Sequence, residues 1–259
     1  MTFKVINLPG EGLRKSIARH DEAFDETLTL IVVVGPITLA AWLATIQQID
    51  WGSVRLGLGE VVIVVGLAIF LGITSARLFR HAAARRRYKE GLAAELAVAQ
   101  ALMPLMADGL SVFHDFPAEG FNIDHVVIGR SAVFSVETKA RKKPPERGSA
   151  AARVRYDGRR LEFPSHSETR PLEQALAQAR WLEKFLSSGV GEPVRVIPVL
   201  ALPGWYVEQT VPRPEIVVNN CHNPRLMASR NFGDELSESK RKRIAHVLVE
   251  RYPNVVAED

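Results

Sequence analysis

Two short stretches of the sequence place acidic and basic side chains at strand-like spacing. They read NIDHVVIG at residues 122–129 and AVFSVETK at residues 132–139. Both are rich in Val, Ile and Phe, which predicts two β-strands. A tight antiparallel turn at residues 130–131 would place Asp124 directly opposite Glu137, on the same face of the hairpin.

Two carboxylates and an amine would then converge. Lys139 shares the face of Glu137 because side chains alternate along a strand, whereas His125 points to the opposite face as a core histidine. A divalent cation would relieve the repulsion between Asp124 and Glu137, and Mg²⁺ typically takes one or two protein carboxylates. A water made acidic by that cation and held by Lys139 could attack a phosphodiester. The alternative is a set of polar residues on a solvated sheet face.

Residues 81–259 contain the elements that must position this hairpin. Spacing of apolar residues predicts amphipathic helices at about 82–107, 171–187 and 237–252. Strands are predicted at 110–116, 121–129, 132–138, 194–201 and 215–218, with a small hairpin at the turn pair Asp157 and Gly158. This alternation predicts an α/β domain.

Two apolar segments precede that domain. Residues 28–46 contain nineteen residues without a charge, which as a helix span roughly 28 Å, close to the thickness of a bilayer core. Residues 56–79 form the second segment, with Glu60 and Arg77 able to reach the two interfaces. The sequence therefore predicts a transmembrane hairpin in contact with the lipid bilayer. The alternative is a pair of buried helices in a soluble domain.

Basic residues predict the orientation of the hairpin. Arg55 is the only Lys or Arg between the two segments, whereas several flank them on the other sides (Lys4, Arg14, Lys15, Arg19, Arg77, Arg80, Arg85, Arg86, Arg87 and Lys89). The positive-inside rule then places both termini in the cytoplasm. We expect a multi-pass protein of the cell (inner) membrane, with a cytoplasmic segment at 1–27, the hairpin at 28–80 and a cytosolic domain at 81–259.

Composition excludes some protein classes and reveals a basic stretch. With 47% hydrophobic residues and one cysteine in 259 residues, the chain is neither disordered nor a disulfide scaffold. Residues 139–160, the basic strip, hold nine basic residues against two acidic ones. The strip could bind nucleic-acid phosphates without sequence choice, be a solvated loop or contact the membrane. The candidate nucleic-acid contacts are Arg141, Lys142, Lys143, Arg153 and Arg155.

The two strand motifs, followed by a proline-led helix with PLEQ at residues 171–174, resemble the nuclease-related domain (NERD) family. That family is grouped with the PD-(D/E)xK, or restriction-endonuclease-like, phosphodiesterases. The resemblance implies an α/β fold with a restriction-endonuclease-like mixed sheet flanked by helices. Its core would cover about residues 88–205, with a C-terminal extension at 206–259.

The resemblance also implies roles for individual residues. Asp124 and Glu137 would be ligands of Mg²⁺ or Mn²⁺, and Lys139 would be the catalytic lysine. Glu95 matches the family's helical acid and Gln174 the glutamine of the later helix, both as supporting groups. The sequence departs from the family at its Gly-x-x-Gly-Glu entry, which reads GLAAE at residues 91–95.

The expected function is that of a membrane-anchored, metal-dependent nuclease. It would hydrolyse phosphodiester bonds of DNA or RNA at the cytosolic face of the membrane. The alternative is a catalytically inactive membrane adaptor, whose domain binds nucleic acid or a protein partner.

Overall fold

The structure is a computed structural model that describes residues 2–4, 7–46, 57–143, 152–252 and 254–256. The predicted loop between the apolar segments, together with Leu56, lies outside the described residues, as does residue 147 of the basic strip. The chain divides into two units. Residues 13–89 form a helical unit, and residues 1–12 and 90–259 form an α/β unit.

Two long helices, α1 (Glu11–Ile46) and α2 (Leu58–Ala107), build the helical unit, and residues 90–107 of α2 belong to the α/β unit. The second apolar segment and the amphipathic helix expected at 82–107 are one continuous helix, because residues 77–90 contain no proline or glycine to end it. Within this unit, the Nδ1 atoms of His20 and His81 are 3.1 Å apart. Arg85 also pairs with Asp21.

The apolar side chains of this unit are exposed. Val32, Ile37 and Val62 are 61%, 64% and 67% exposed, respectively. Among the described residues, α1 and α2 are long and apolar enough to cross a membrane, and their most apolar windows are only 0% and 6% buried. A helix in a soluble core buries its apolar stripe. The packing therefore does not support the interpretation of these segments as buried helices of a soluble domain.

The α/β unit contains short strands and two further helices. Its strands are β1 (Thr2–Lys4), β2 (Ser111–Pro117), β3 (Asn122–Ile128), β4 (Val133–Thr138), β5 (Arg153–Tyr156), β6 (Leu161–Glu162), β7 (Ser167–Glu168), β8 (Val196–Ala201), β9 (Tyr206–Gln209), β10 (Val217–Asn219) and β11 (Asn254–Val256). The helices are α3 (Arg170–Val190) and α4 (Glu238–Arg251), with a 3₁₀ helix at Pro224–Ala228.

A five-stranded mixed sheet, in the order β10-β8-β4-β3-β2, forms the centre of this unit. β2, β3 and β4 are antiparallel neighbours, whereas β4, β8 and β10 run parallel. A mixed sheet flanked by helices is the predicted fold class, which is thereby confirmed. All six residues of β8 are buried, as expected for an apolar run without alternation.

Apolar side chains cover both faces of this sheet. On one face, α3 and α4 contribute residues such as Leu182 and Leu248, which cluster with Val126 of β3. On the other face, Leu102 of α2 packs in a cluster with Phe134 of β4. The ends of the helices are specified locally. Gly191 follows α3 in a left-handed conformation, and the Ser237 side chain accepts the Lys240 N–H at the start of α4.

A four-stranded sheet, β7-β6-β5-β9, follows the central hairpin, and β1 pairs with β11. The turn between β5 and β6 lies at Asp157 and Gly158, as predicted, with Gly158 at φ +89°. β9 is missing from the sequence-based prediction. It pairs in parallel with β5, a partner about fifty residues away in the chain, and its four-residue sequence has no strong strand signal of its own.

Candidate active site

The hairpin of β3 and β4 has the predicted register. The N–H of Gly129 donates to the carbonyl of Ala132 at 2.9 Å, which closes a tight turn. The ladder then runs in register to the pair His125 and Val136. This confirms the predicted pairing, which depends only on a short turn and on alternating side chains.

Asp124 and Glu137 occupy opposing positions one step beyond the last backbone pair. Asp124 Oδ2 accepts the N–H of Thr138 at 2.7 Å, so a side chain replaces the backbone ladder there. Glu137 is 2% exposed, and Lys139 Nζ lies 2.5 Å from its Oε1. The N–H of Lys139 donates to the Ala201 carbonyl at 3.0 Å, which ties the lysine to β8. The structure therefore brings the two predicted carboxylates and the lysine together.

The glutamine that contacts this site is Gln178, not Gln174. Gln178 Nε2 donates to Glu137 Oε2 at 2.7 Å, and its side chain is buried. Gln174 is exposed, one helical turn earlier on α3. The structure does not bring Gln174, the predicted supporting residue, to this site. Residues four apart share a helix face, and a sequence motif does not say which of the two turns meets β4.

Glu95 of α2 lies close enough to these carboxylates to be affected by them. Burial, together with the charges of Asp115 and Glu137, raises its pKa to about 7, against the opposing effect of Lys139. Burial, followed by the charges of Glu137 and Glu95, also raises the pKa of Asp124 well above its usual range. We call Glu95, Asp124 and Glu137 the carboxylate cluster. Its members repel one another in a poorly solvated space.

Asp115 is a residue of this region that the sequence analysis missed. It lies in β2 with φ +44°, a conformation uncommon for residues other than glycine. The ladder of β2 and β3 passes from the pair His114–His125 to the pair Phe116–Ile123 and omits Asp115 and Asp124. An acidic residue in the middle of an apolar strand, as in SVFHDFP, was the available signal.

His125 is a core residue, as predicted. It is completely buried, and its Nδ1 lies 2.8 Å from Nδ1 of His114. Burial and the neighbouring histidine lower the pKa of His125 to about 3, so its ring is neutral at physiological pH.

Four of the five predicted nucleic-acid contacts carry carboxylate partners in this structure. Arg141 forms a bidentate pair with Glu168, at 2.7 and 2.8 Å. The other ion pairs are Lys142–Glu90 at 3.4 Å, Arg153–Glu208 at 3.3 Å and Arg155–Glu162 at 3.9 Å. Lys143 lies beside Gly204. Unlike Asp124 and Glu137, these residues are spread over several partners and do not converge.

The carboxylate oxygens of the cluster are ligands of the kind that a hard divalent cation prefers. Burial raises the pKa of Asp124 and Glu95, and the neighbouring carboxylates raise it further; a cation beside Asp124 and Glu137 would offset that repulsion. In the described parts of the chain, no three or more His, Cys, Asp or Glu side chains are grouped as metal ligands. That is compatible with Mg²⁺, which takes one or two protein carboxylates and keeps several waters.

Comparisons with known proteins agree with this geometry. Neither the curated proteins nor the solved structures gave a match. A family model did match, over residues 90–203, which contain Glu95, the β3–β4 hairpin and α3. The matching model is that of NERD, the nuclease-related domain, so residues 90–203 of this chain are similar to that family.

Proposed function

We propose that this protein is a membrane-anchored, metal-dependent nuclease. The observation that carries the proposal is the convergence of Asp124, Glu137 and Lys139 at the end of one hairpin, with Lys139 Nζ 2.5 Å from Glu137 Oε1. Two carboxylates and an amine at one point suit phosphodiester hydrolysis. In that reaction a water oxygen bonds to phosphorus, the bond to the leaving oxygen breaks and the leaving oxygen takes a proton.

Asp124 and Glu137 would hold Mg²⁺ or Mn²⁺, which supplies positive charge for the phosphate and acidifies a bound water. Gln178 holds Glu137 through its Oε2 and so fixes the orientation of that carboxylate. The side chain of Lys139 is 25% exposed, which leaves its ammonium accessible to a phosphate oxygen or a water. Because its pKa is about 7, Glu95 can hold or release a proton near neutral pH.

α1 and α2 support the anchoring part of the proposal. Both are apolar, long enough to span a bilayer core and exposed along their apolar stretches. The excess of Lys and Arg on the flanks of the apolar segments supports an orientation with both termini in the cytoplasm, at the inner face of the cell membrane. The nuclease domain would then act on cytosolic DNA or RNA.

Phosphate contacts by the basic strip would have to compete with its own ion pairs. Arg153 and Arg155 are 51% and 58% exposed in their side chains, so their partners Glu208 and Glu162 hold them weakly. Nucleic-acid phosphates could displace these carboxylates at low ionic strength. We therefore expect weak, salt-sensitive binding without sequence preference.

The test of the nuclease proposal is the cleavage of DNA and RNA by the full-length protein, with Mg²⁺ or with EDTA. Glu137→Gln should abolish metal-dependent cleavage. Glu235→Gln makes the same chemical change in an exposed ion pair with Arg230 and should leave cleavage unchanged. Equal cleavage by wild type and Glu137→Gln, or cleavage that persists in EDTA, would contradict the proposal.

A second candidate is a non-catalytic adaptor that binds nucleic acid or a protein. It is favoured by one observation: both oxygens of Glu137 already have partners, Lys139 on Oε1 and Gln178 on Oε2. The adaptor predicts no cleavage by any variant, together with nucleic-acid binding that survives Glu137→Gln and weakens steeply with salt.

A further inference from the structure

A short N-terminal segment, residues 7–12, packs on the α/β unit beside the carboxylate cluster. Gly10 is buried at φ +71°. A Cβ at Gly10 would collide with the Leu92 side chain and lie 3.3 Å from Glu95 Oε2. The segment therefore lies directly against the part of α2 that carries Glu95.

Asp115 holds this segment at two points. Its carbonyl accepts Asn7 Nδ2 at 2.9 Å, and its Oδ2 accepts the N–H of Gly12 at 2.6 Å. Its Oδ1 accepts Asn122 Nδ2 at 2.7 Å, so both carboxylate oxygens are used. Asp115 also keeps the uncommon φ of +44°. Backbone strain of this kind persists only where the surroundings hold it.

The bonds of Asp115 continue into the candidate site. The carbonyl of Asn122 accepts Gln178 Nε2 at 3.4 Å, and the same nitrogen donates to Glu137 Oε2 at 2.7 Å. A chain of hydrogen bonds thus runs from residues 7–12 through Asp115 to Glu137. Glu95 lies beside Gly10 of the segment, and Glu137 is the last acceptor in this chain of hydrogen bonds.

We propose that residues 7–12 are a strap that closes the Glu95 side of the candidate site, and that Asp115 is the positioning residue that latches it. Release of the strap would open the wall formed by Leu92 and Glu95 to solvent and to a polynucleotide. The part of this inference that concerns cleavage rests on the proposed nuclease function, whereas the closure itself does not.

Thiol labelling of Leu92→Cys in the full-length protein measures the closure. Cys221, the one native cysteine, is 1% exposed and gives a slow background. Adding Asp115→Asn should raise the maleimide labelling rate about tenfold, the effect of losing one charged hydrogen bond. The reason is that Gly12 and Asn122 donate to different oxygens of Asp115, and the NH2 group that replaces one of these oxygens in asparagine cannot accept a hydrogen bond.

Asp157→Asn is the control, because the Asp157 carboxylate likewise accepts two hydrogen bonds, from two backbone N–H groups of the β5–β6 turn. It should leave the labelling of Leu92→Cys unchanged. If Asp115→Asn does not fold, Gly10→Ala provides a second test, since alanine is strained at φ +71°. Labelling that is equally fast with and without Gly10→Ala or Asp115→Asn would overturn the strap.

Metal-dependent cleavage by Gly10→Ala separates the two proposals. Cleavage that rises with the labelling rate supports a strap that limits access. Cleavage that stays constant or falls while labelling accelerates overturns the gating role. If neither wild type nor Gly10→Ala cleaves, the nuclease proposal fails, and the labelling rates still decide whether the strap closes this wall.

Discussion

Glu137 of the carboxylate cluster directly precedes the basic strip in sequence, and Lys139, at the start of the strip, pairs with it. The cluster and the rest of the strip differ in the solvent exposure of their charges. Glu137 is 2% exposed, and its partners Lys139 and Gln178 come from β4 and α3. Arg153 and Arg155 have side chains that are more than half exposed and pair with carboxylates on neighbouring strands. Coulomb interactions are several times stronger in a poorly solvated site than at a surface. The carboxylate cluster, not the basic strip, should therefore dominate both activity and the response to pH.

The largest expected effect is the loss of activity in Lys139→Met. This change keeps the length of the side chain but removes the ammonium beside Glu137. Metal-dependent cleavage should fall by about 10²–10⁴-fold, the usual contribution of a positioned proton-transfer group. Lys142→Met is the control, since Lys142 forms an exposed pair with Glu90, and it should change the rate less than about twofold. Similar losses in both variants would remove the distinction between the two regions.

Gln178→Ala against Gln174→Ala tests how far the cluster extends into α3. Gln178→Ala leaves the buried Glu137 Oε2 without its donor, which should lower the free energy of unfolding by about 2 kcal/mol. Gln174 is exposed, so its replacement should change stability by less than about 0.5 kcal/mol. Thermal unfolding of the full-length protein in detergent measures both changes. A larger loss of stability in Gln174→Ala than in Gln178→Ala would favour Gln174, the residue predicted from the sequence, as the supporting glutamine.

Glu95→Gln tests the repulsion within the carboxylate cluster. The pKa of Glu95 is raised from 4.5 to about 7 in the folded protein, so the native state binds more protons than the unfolded state between these values, and stability falls as pH rises through this window. The variant should be more stable than wild type at pH 8, by on the order of 1–2 kcal/mol since Glu95 is only partly buried.

This gain should nearly vanish at pH 4.5, where Glu95 is protonated in the folded protein and already half protonated in the unfolded chain. Tm values in EDTA at the two pH values measure it, because a bound cation would mask the repulsion. A pH-independent effect of Glu95→Gln would show that burial and the neighbouring carboxylates do not raise the pKa of Glu95.

The smallest expected effects concern the basic strip itself. Arg141 makes a bidentate bond to Glu168 with both side chains at most 26% exposed, so Arg141→Ala should cost about 1 kcal/mol of stability. Arg155 is 3.9 Å from Glu162 and 58% exposed, so Arg155→Ala should cost less than about 0.5 kcal/mol. Thermal unfolding at low and high salt measures both. A larger cost for Arg155→Ala would mean that exposed pairs stabilise this domain as much as partly buried ones.

Local features determined much of the fold and site from the sequence. The hairpin register, and with it the meeting of Asp124, Glu137 and Lys139, follows from a four-residue turn and from the alternation of side chains along a strand. The two apolar segments could be predicted as long apolar helices equally well, because an uncharged run of nineteen residues has few alternatives. The fusion of the second segment with the amphipathic helix into α2 was harder to predict, because one is apolar on all sides and the other on one face. Only the absence of a helix breaker between them indicates a single helix.

Tertiary structure decided the features that depend on distant parts of the chain. Gln178 meets Glu137 across 41 residues, and Gly12 meets Asp115 across 103. No local pattern chooses Gln178 over Gln174, because both lie on the same helix one turn apart and only the packing of α3 on β4 buries one of them. Likewise, Asp115 is an ordinary strand residue in the sequence. Its position beside Glu95 and residues 7–12 exists only because the sheet, α2 and the N-terminal segment come together in the folded unit.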